Sequence, residues 1–289
     1  MYPTYDLHTH TLCSDGTLSP EDLIARAQAK GVQVLALTDH DVTEGVTSAQ
    51  AAGRRLGVQV LPGVEVSVTW QRQTVHIVGL CIDSQNQVLQ HGLARLREFR
   101  GWRAQEIDRR LQKKNVVGAY EFVRQNARGA ILSRTHFARF LVAEGYVRDM
   151  GQAFKQYLGP GRAAHVPGQW AALDEAVGWI RAAGGIAVVA HPARCGLTTA
   201  KLRRLLREFK DCGGQSIEVL SGSCPAADSA QMARLAVEHG LLGSCGSDYH
   251  GPEQTWVDLG RLPALPPEVT PVWSIFPDQY TAPQRASGI

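Results

Sequence analysis

Imidazole and carboxylate side chains recur together, at short spacings, along this sequence of 289 residues. His8 and His10 are two residues apart, which places both side chains on one face of an extended segment. Asp248 and His250 have a carboxylate and an imidazole at the same spacing near the end of the chain. Imidazole combined with carboxylate, without a cysteine partner, is a ligand set for Zn²⁺, Mn²⁺ or Fe²⁺ in hydrolytic sites. The pattern predicts a metal centre.

Further candidate ligands follow other apolar runs of the chain. Any single histidine is more commonly a hydrogen-bonded core residue than a ligand, but six histidines and three carboxylates share this placement. The nine candidates are His8, His10, Asp15, His40, Glu65, His76, His191, Asp248 and His250.

The elements that must position these residues alternate between strand and helix patterns, through the first 80 residues and again after residue 170. Val32–Leu37 is a nearly continuous apolar run, which is typical of a strand covered on both faces in a parallel sheet. About seven such strands predict an α/β fold, either a (β/α) barrel or an open sheet. Polar residues after many strands converge only at the top of a barrel. We therefore expect a (β/α) barrel rather than an open sheet.

The stretch between the two alternating regions differs in charge and pattern. Residues 95–149 contain 13 lysines and arginines against 6 acidic residues, and residues 101–169 read as a helical insertion. Arginine and hydroxyl groups in this insertion suit a phosphate, and an indole suits a nucleobase. The candidate substrate contacts are Trp102, Arg103, Ser133, Arg134, Thr135 and His136. Alternatively, Trp102 belongs to the core and Arg134 pairs with a local acid such as Glu144.

The composition is that of an ordinary globular protein, with 44% hydrophobic and 20% charged residues and a net charge of +3. No apolar run reaches the ~18 residues of a membrane span, and the first residues lack a secretory signal pattern. Six cysteines are scattered without a CxxC pair, which favours reduced thiols in a cytoplasmic protein. The proline-rich residues from 262 onward read as a surface tail.

Taken together, these motifs resemble the polymerase and histidinol phosphatase (PHP) family of metal-dependent phosphoesterases. The resemblance covers residues 1–100 and 170–260 and rests on these segments: DLHTH at 6–10, SDG at 14–16, ALTDHD at 36–41, PGVE at 62–65, His76, AHP at 190–192 and SDYH at 247–250. It implies a distorted (β/α)7 barrel of the PHP type, formed by residues 1–100 and 170–289 with a C-terminal tail. Residues 101–169 would then be a basic helical insertion that caps the substrate.

The resemblance also implies three divalent metal ions, with Mn²⁺ expected and Fe²⁺, Zn²⁺ or Mg²⁺ as alternatives. The first ion would have His8, His10, Glu65 and Asp248 as ligands. The second would have Glu65, His76 and His191, and the third Asp15, His40 and His250. A carboxylate has two oxygens, so Glu65 is the expected bridge. The catalytic hydroxide would lie at this bridge, held by Glu65 with His8, His10 and Asp248.

Within the family, the chain is most similar to the 3′,5′-nucleoside bisphosphate phosphatases, which implies removal of the 3′-phosphate from a small nucleotide with two phosphates. One alternative is a 5′-3′ exonuclease acting on short single-stranded oligonucleotides. A second is histidinol phosphate phosphatase, although a basic insertion does not suit the amine of that substrate. A third is a silent PHP structural module, which should have lost ligands. We expect neither membrane association nor an obligate protein partner.

Overall fold

The computed structural model describes residues 4–280 of the chain. Their seven strands are β1 (Tyr5–Thr9), β2 (Val34–Leu37), β3 (Gln59–Trp70), β4 (Gln73–Leu80), β5 (Ile186–Val189), β6 (Ser216–Ser221) and β7 (Leu242–Gly246). All seven belong to one sheet, in which the strands lie side by side in chain order. β3 pairs with β4 and β4 with β5 in antiparallel fashion, while the other pairs are parallel.

The first and last strands approach each other and nearly close the sheet into a barrel. The backbone N–H of Asp248 donates to the carbonyl of His8 at 2.8 Å, and that of His10 donates to the carbonyl of Tyr249 at 2.9 Å. Thr9 and Tyr249 form a parallel bridge at the same place. Residues from the two ends of the chain therefore meet at the top of the barrel.

Nine α-helices are found within residues 4–280. They are α1 (Pro20–Ala29), α2 (Val46–Leu56), α3 (Gln87–Gln112), α4 (Ala119–Asn126), α5 (Arg134–Ala143), α6 (Met150–Ala153), α7 (Leu173–Ala182), α8 (Thr199–Asp211) and α9 (Ala226–His239). The start of α1 follows the sequence signals, because the Ser19 side chain accepts from the Asp22 backbone N–H and Pro20 occupies the first turn. No helix in this part of the chain combines the length and apolarity that a bilayer crossing needs.

The segment between β4 and α7 is helical and has a hydrophobic cluster of its own. It begins with the long helix α3 and continues through α4, α5 and α6 to a π-helical turn at Phe154–Leu158. Its cluster joins side chains of α3, α4 and α5, including Ile107, Val123 and Phe137, all 2% exposed or less. The segment thus packs as a compact helical unit at one side of the barrel.

The α/β class and the seven-stranded barrel are confirmed, with two differences in detail. The apolar runs 58–61 and 64–68 predict separate strands but form the single strand β3, because Pro62 and Gly63 continue the extended backbone. Residues 262–280, predicted to be a surface tail, are mostly exposed or half-buried, but a few of their side chains are anchored to the barrel. Val272 and Phe276 are buried against the barrel and Trp273 stacks on Tyr5 at 4.1 Å. The remainder, 281–289, lies outside the described residues.

A test of the barrel closure is the substitution Gly246→Ala in β7. A Cβ atom at this position would lie 2.2 Å from the Cβ of His8, so the two strands would have to move apart. We expect the free energy of unfolding to fall by about 1–3 kcal/mol, as for other overpacked cores. Urea denaturation measures it. The control is Gly178→Ala in α7, where a Cβ meets nothing within 4 Å and stability should stay equal or rise. Equal stability of Gly246→Ala and the parent would contradict this packing.

Candidate metal centre

The nine candidate ligands lie together at one end of the barrel, although the chain separates them by as many as 242 positions. His8 and His10 are at the end of β1, His40 follows β2, Glu65 and His76 are on the paired strands β3 and β4, and His191 follows β5. Asp248 and His250 follow β7, and Asp15 is in the turn before α1. Each of these strands contributes a side chain to the same small volume.

One group of four side chains has its donor atoms within 4.8 Å of one another: His8, His10, Glu65 and Asp248. The Nε2 atoms of His8 and His10 are each 3.3 Å from Oε2 of Glu65. They are 3.5 and 3.2 Å from Oδ1 of Asp248. This is the same set of residues that the resemblance implies for the first ion.

Two further groups adjoin the first. One joins His10, Asp15, His40 and His250, so it contains the set expected for the third ion and adds His10. The other joins His40, Glu65 and His76. His191, expected beside His76, also lies next to Glu65, because its Nε2 is 2.9 Å from Oε1 of Glu65 and 3.3 Å from Nδ1 of His76.

Glu65 is the carboxylate that the groups share. Its Oε1 is 2.8 Å from Nδ1 of His76, and its Oε2 is 2.8 Å from Nδ1 of His40. The side chain is fully buried, and its two oxygens face different sets of imidazoles. This geometry suits a carboxylate that is shared between cations.

The donor set fits divalent cations. Four of the candidate ligands have a buried side-chain atom that forms no hydrogen bond within residues 4–280: His10 Nδ1, Asp15 Oδ1, His40 Nδ1 and Glu65 Oε2. Such atoms are costly unless something other than a hydrogen bond satisfies them. Burial, reinforced by His250, lowers the pKa of His10 to about 3, which leaves its imidazole neutral. Burial opposes ionisation of Asp15 and Glu65, but the neighbouring imidazoles outweigh it and hold the pKa of both carboxyls well below their usual range.

Glu218 is a member of the site that the sequence analysis missed. It lies on β6 and is 1% exposed. One of its oxygens is 2.5 Å from Nδ1 of His8, and the other accepts from the backbone N–H of His191 at 2.6 Å. A carboxylate behind an imidazole fixes which ring nitrogen is free to bind a metal. A charged residue inside the apolar run of β6 was the signal that could have revealed it, because buried charges require partners.

Glu218→Gln is expected to weaken metal binding by about 10- to 100-fold, as loss of a carboxylate behind a metal-binding histidine does elsewhere. The amide keeps the size of the side chain but removes the charge that orients His8. Titration of the metal-depleted protein with Mn²⁺ measures the change. Glu238→Gln is the control, since Glu238 pairs with Arg203 on the outer helices. An unchanged affinity in Glu218→Gln would show that Glu218 does not position His8.

Two neighbouring acids have structural partners of their own. Asp39 accepts hydrogen bonds from the Thr11 hydroxyl at 2.6 Å and the Ser14 hydroxyl at 2.5 Å, which fixes the turn that carries Asp15. Asp41 pairs with Arg100 at 2.6 Å. These carboxylates therefore hold the loops of the site in place, and Arg100 already matches the charge of Asp41.

A cavity of about 80 Å³ connects the ligand groups to the helical segment. Its lining joins Asp15, His40 and His76 to Arg100, Arg103 and Arg134. Burial and the nearby Arg134 and Arg100 lower the pKa of Arg103 to about 8. Among residues 4–280 no carboxylate pairs with Arg134, whose guanidinium lies 5.6 Å from the ring centre of Phe154. The cavity therefore combines metal-type donors with uncompensated positive charge.

The predicted substrate contacts divide into two sets. Those that line this cavity are Arg103, Ser133, Arg134 and Thr135. His136 and Trp102 do not line it. His136 accepts from the backbone N–H of Ser133 at 3.1 Å at the start of α5, while Trp102 is 53% exposed on α3. Trp170, which the sequence analysis did not select, is the indole of the cavity wall, and Arg100 and Arg103 lie over its ring at 5.0 and 5.2 Å.

Comparison with known proteins agrees with this architecture. A family model described as a PHP domain matches residues 6–159, more than half of the chain. The chain belongs to the PHP family. This confirms the resemblance on which the sequence analysis relied.

Individual relatives align with almost the whole length of this chain. It is 46% identical to a 3′,5′-nucleoside bisphosphate phosphatase of Chromobacterium violaceum, over 93% of this chain and 94% of that protein. It is 40% identical to the 5′-3′ exoribonuclease Rnm of Escherichia coli, over 97% and 96%. A solved amidohydrolase structure from C. violaceum, with bound sulfate and no metal, aligns with a TM-score of 0.91 at 45% identity, over 94% of this chain and 95% of that one.

Proposed function

We propose that this PHP protein is a metal-dependent phosphomonoesterase that removes the 3′-phosphate from 3′,5′-nucleoside bisphosphates. The observation that carries the proposal is the single cavity in which metal-type donors face Arg103 and Arg134. A substrate with two phosphates can present one to each side. The activity of the relative from C. violaceum supports the same reaction.

The proposed cofactor is a set of three divalent ions, and Mn²⁺ is the metal that we expect. The three groups of donor atoms described above support this number, with Glu65 shared between ions. When bound, such cations neutralise phosphoryl oxygens and lower the pKa of a water molecule from 15.7 toward ~7. Hydrolysis then breaks the P–O bond to the 3′ oxygen, adds the elements of water and releases phosphate and a nucleoside 5′-monophosphate.

The chain itself would bind and orient the second phosphate. Arg103 and Arg134 can both donate to its oxygens, and a dianion would relieve the repulsion between these neighbouring guanidinium groups. The Ser133 hydroxyl donates to Oδ2 of Asp15 at 2.9 Å, so α5 and the ligand groups are held at a fixed separation. In this proposal residues 101–169 are the cap over the substrate and residues 1–100 and 170–289 the barrel, and the Ser133–Asp15 hydrogen bond joins the two.

Phosphate release from three nucleotides tests the proposal. Adenosine 3′,5′-bisphosphate should be hydrolysed much faster than 3′-AMP, which lacks the phosphate that the arginines bind, and 5′-AMP should not react. Removal of metal with a chelator should abolish the release, and added Mn²⁺ should restore it. Comparable rates on all three nucleotides would contradict the bisphosphate assignment, and full activity after chelation would contradict the metal dependence.

A second candidate function is trimming of short oligonucleotides from the 5′ end. The relatives from E. coli and Haemophilus influenzae, at 40% and 41% identity, are 5′-3′ exoribonucleases. A phosphodiester needs the same attack on phosphorus, and a 5′-phosphate can occupy the arginine side of the cavity. The exposed face of α3 favours this candidate as well.

Six free thiols further support the cytoplasm as the compartment for either activity.

A further inference from the structure

The exposed face of α3 carries an aromatic and basic strip that the cavity does not use. Trp102 and Lys113 are eleven residues apart, which is about three helical turns, or ~16 Å along the axis. Both are exposed, and Arg109 lies between them on the same face. We call the exposed side chains from Trp102 to Lys114 the α3 strip.

The aromatic end of the α3 strip is linked to the cavity by ring contacts. Trp102 stacks on Phe99 with ring centres 5.5 Å apart and an interplanar angle of 29°. Phe99 in turn meets the ring of Trp170 edge-on at 4.7 Å, and Trp170 lines the cavity. The outer face of Trp102 remains open, since its side chain is 53% exposed. An exposed indole supported from behind by other rings is a suitable platform for a nucleobase.

The basic end of the α3 strip surrounds a depression of about 420 Å³, lined by Arg109, Arg110, Lys113, Lys114 and Ala163. Glu106 pairs with Arg109 and Arg110 at 2.6 and 2.7 Å and neutralises part of their charge. Lys113 and Lys114 are exposed and have no carboxylate partner among residues 4–280. Cations spaced along a surface beyond an aromatic platform match a backbone of phosphates.

We propose that the α3 strip binds the part of a single-stranded oligonucleotide that extends beyond the nucleotide in the cavity. A base stacks on Trp102, and the following phosphates lie against Lys113 and Lys114. A nucleoside bisphosphate has no nucleotide beyond the one in the cavity, so the strip would set affinity for oligonucleotides without affecting the small substrate. This inference rests on the proposed function, because it takes the cavity as the place where the terminal nucleotide binds.

The test compares adenosine 3′,5′-bisphosphate with a 5′-phosphorylated ten-nucleotide single strand. Trp102→Ala should raise KM for the oligonucleotide about 10-fold more than KM for the bisphosphate, and Trp102→Phe should restore most of the loss. The double variant Lys113→Glu, Lys114→Glu should bind the oligonucleotide more weakly. The slope of the logarithm of its binding constant against the logarithm of salt concentration should be shallower by about 1.4. Fluorescence anisotropy with the same labelled strand, in the presence of a chelator, measures binding without turnover.

Matched controls are Trp256→Ala, an indole that is 64% exposed outside the strip, and the double charge reversal of Lys201 and Arg207 on α8. Both controls should leave oligonucleotide binding unchanged. The proposal would be overturned if Trp102→Ala bound the oligonucleotide as tightly as the parent. It would also be overturned if the strip variants and the controls lost oligonucleotide affinity to the same extent. Failure of the parent to hydrolyse the bisphosphate would count against the proposed function instead, because anisotropy still reports on the strip.

Discussion

Glu65→Ala is expected to lower kcat for the bisphosphate by about 10⁴-fold, more than the loss of any other ligand. Removal of one group that stabilises the transition state typically costs about 10²- to 10³-fold. Glu65 has one oxygen near His76 and the other near His40, so its loss disrupts more than one group of donors. Metal analysis of the purified variant should show fewer bound ions per chain than in the parent.

Two comparisons make this result specific to the shared carboxylate. His250→Ala removes a ligand of a single group and should retain more activity and more metal than Glu65→Ala. Glu253→Ala removes a carboxylate that pairs with Arg139 at 3.2 Å outside the ligand groups, and it should behave like the parent. If Glu65→Ala kept the parent's metal content and rate, Glu65 would not be a shared ligand.

Arg134→Ala should raise KM for adenosine 3′,5′-bisphosphate by about 10²- to 10³-fold, while the slow hydrolysis of 3′-AMP changes little. Truncation of one partner in a hydrogen-bonded charge pair costs about 2–5 kcal/mol, or about 30- to 5,000-fold, and the expected change lies within that span. The Arg134 side chain is half-buried, and loss of solvent together with Arg100 lowers its pKa, so it gains from an anionic partner. Steady-state kinetics with the two nucleotides measure the split between KM and kcat.

Arg139→Ala is the matched control for this experiment. Arg139 is on the same helix, α5, but it pairs with Glu253 and lines a different cavity. Arg134→Lys should recover only part of the loss, because an ammonium group lacks the planar fork of guanidinium. An equal increase in KM for both nucleotides in Arg134→Ala would show that Arg134 does not recognise the second phosphate.

The barrel and the ligand groups were predictable because their signals are local. Most strands contain a short apolar run, and most candidate ligands follow such a run or lie within it, as His40 follows β2. The convergence of these residues follows from the geometry of a barrel rather than from any one motif. The direction of β4 was not predictable in this way, because an apolar run carries no information about whether its neighbours are parallel.

The supporting residues were harder to find. Glu218 lies in a strand whose other residues are apolar or small, and its role depends on His8, 210 positions away. Trp170 replaces Trp102 at the cavity because the second half of α3 turns residue 102 outward while Arg100 and Arg103 face inward. Such choices depend on the rotation of a helix against the barrel, which the sequence pattern of a mixed, strongly charged helix does not fix.

The contact between β1 and β7 also has a consequence for folding during synthesis. His8 and His10 are synthesised some 240 residues before Asp248 and His250. The imidazoles of His8 and His10 therefore lack their C-terminal partners in the nascent chain until those residues have been added. Premature termination anywhere before that point yields a product without a complete cluster, and contacts of such long sequence separation are expected to form late and slowly.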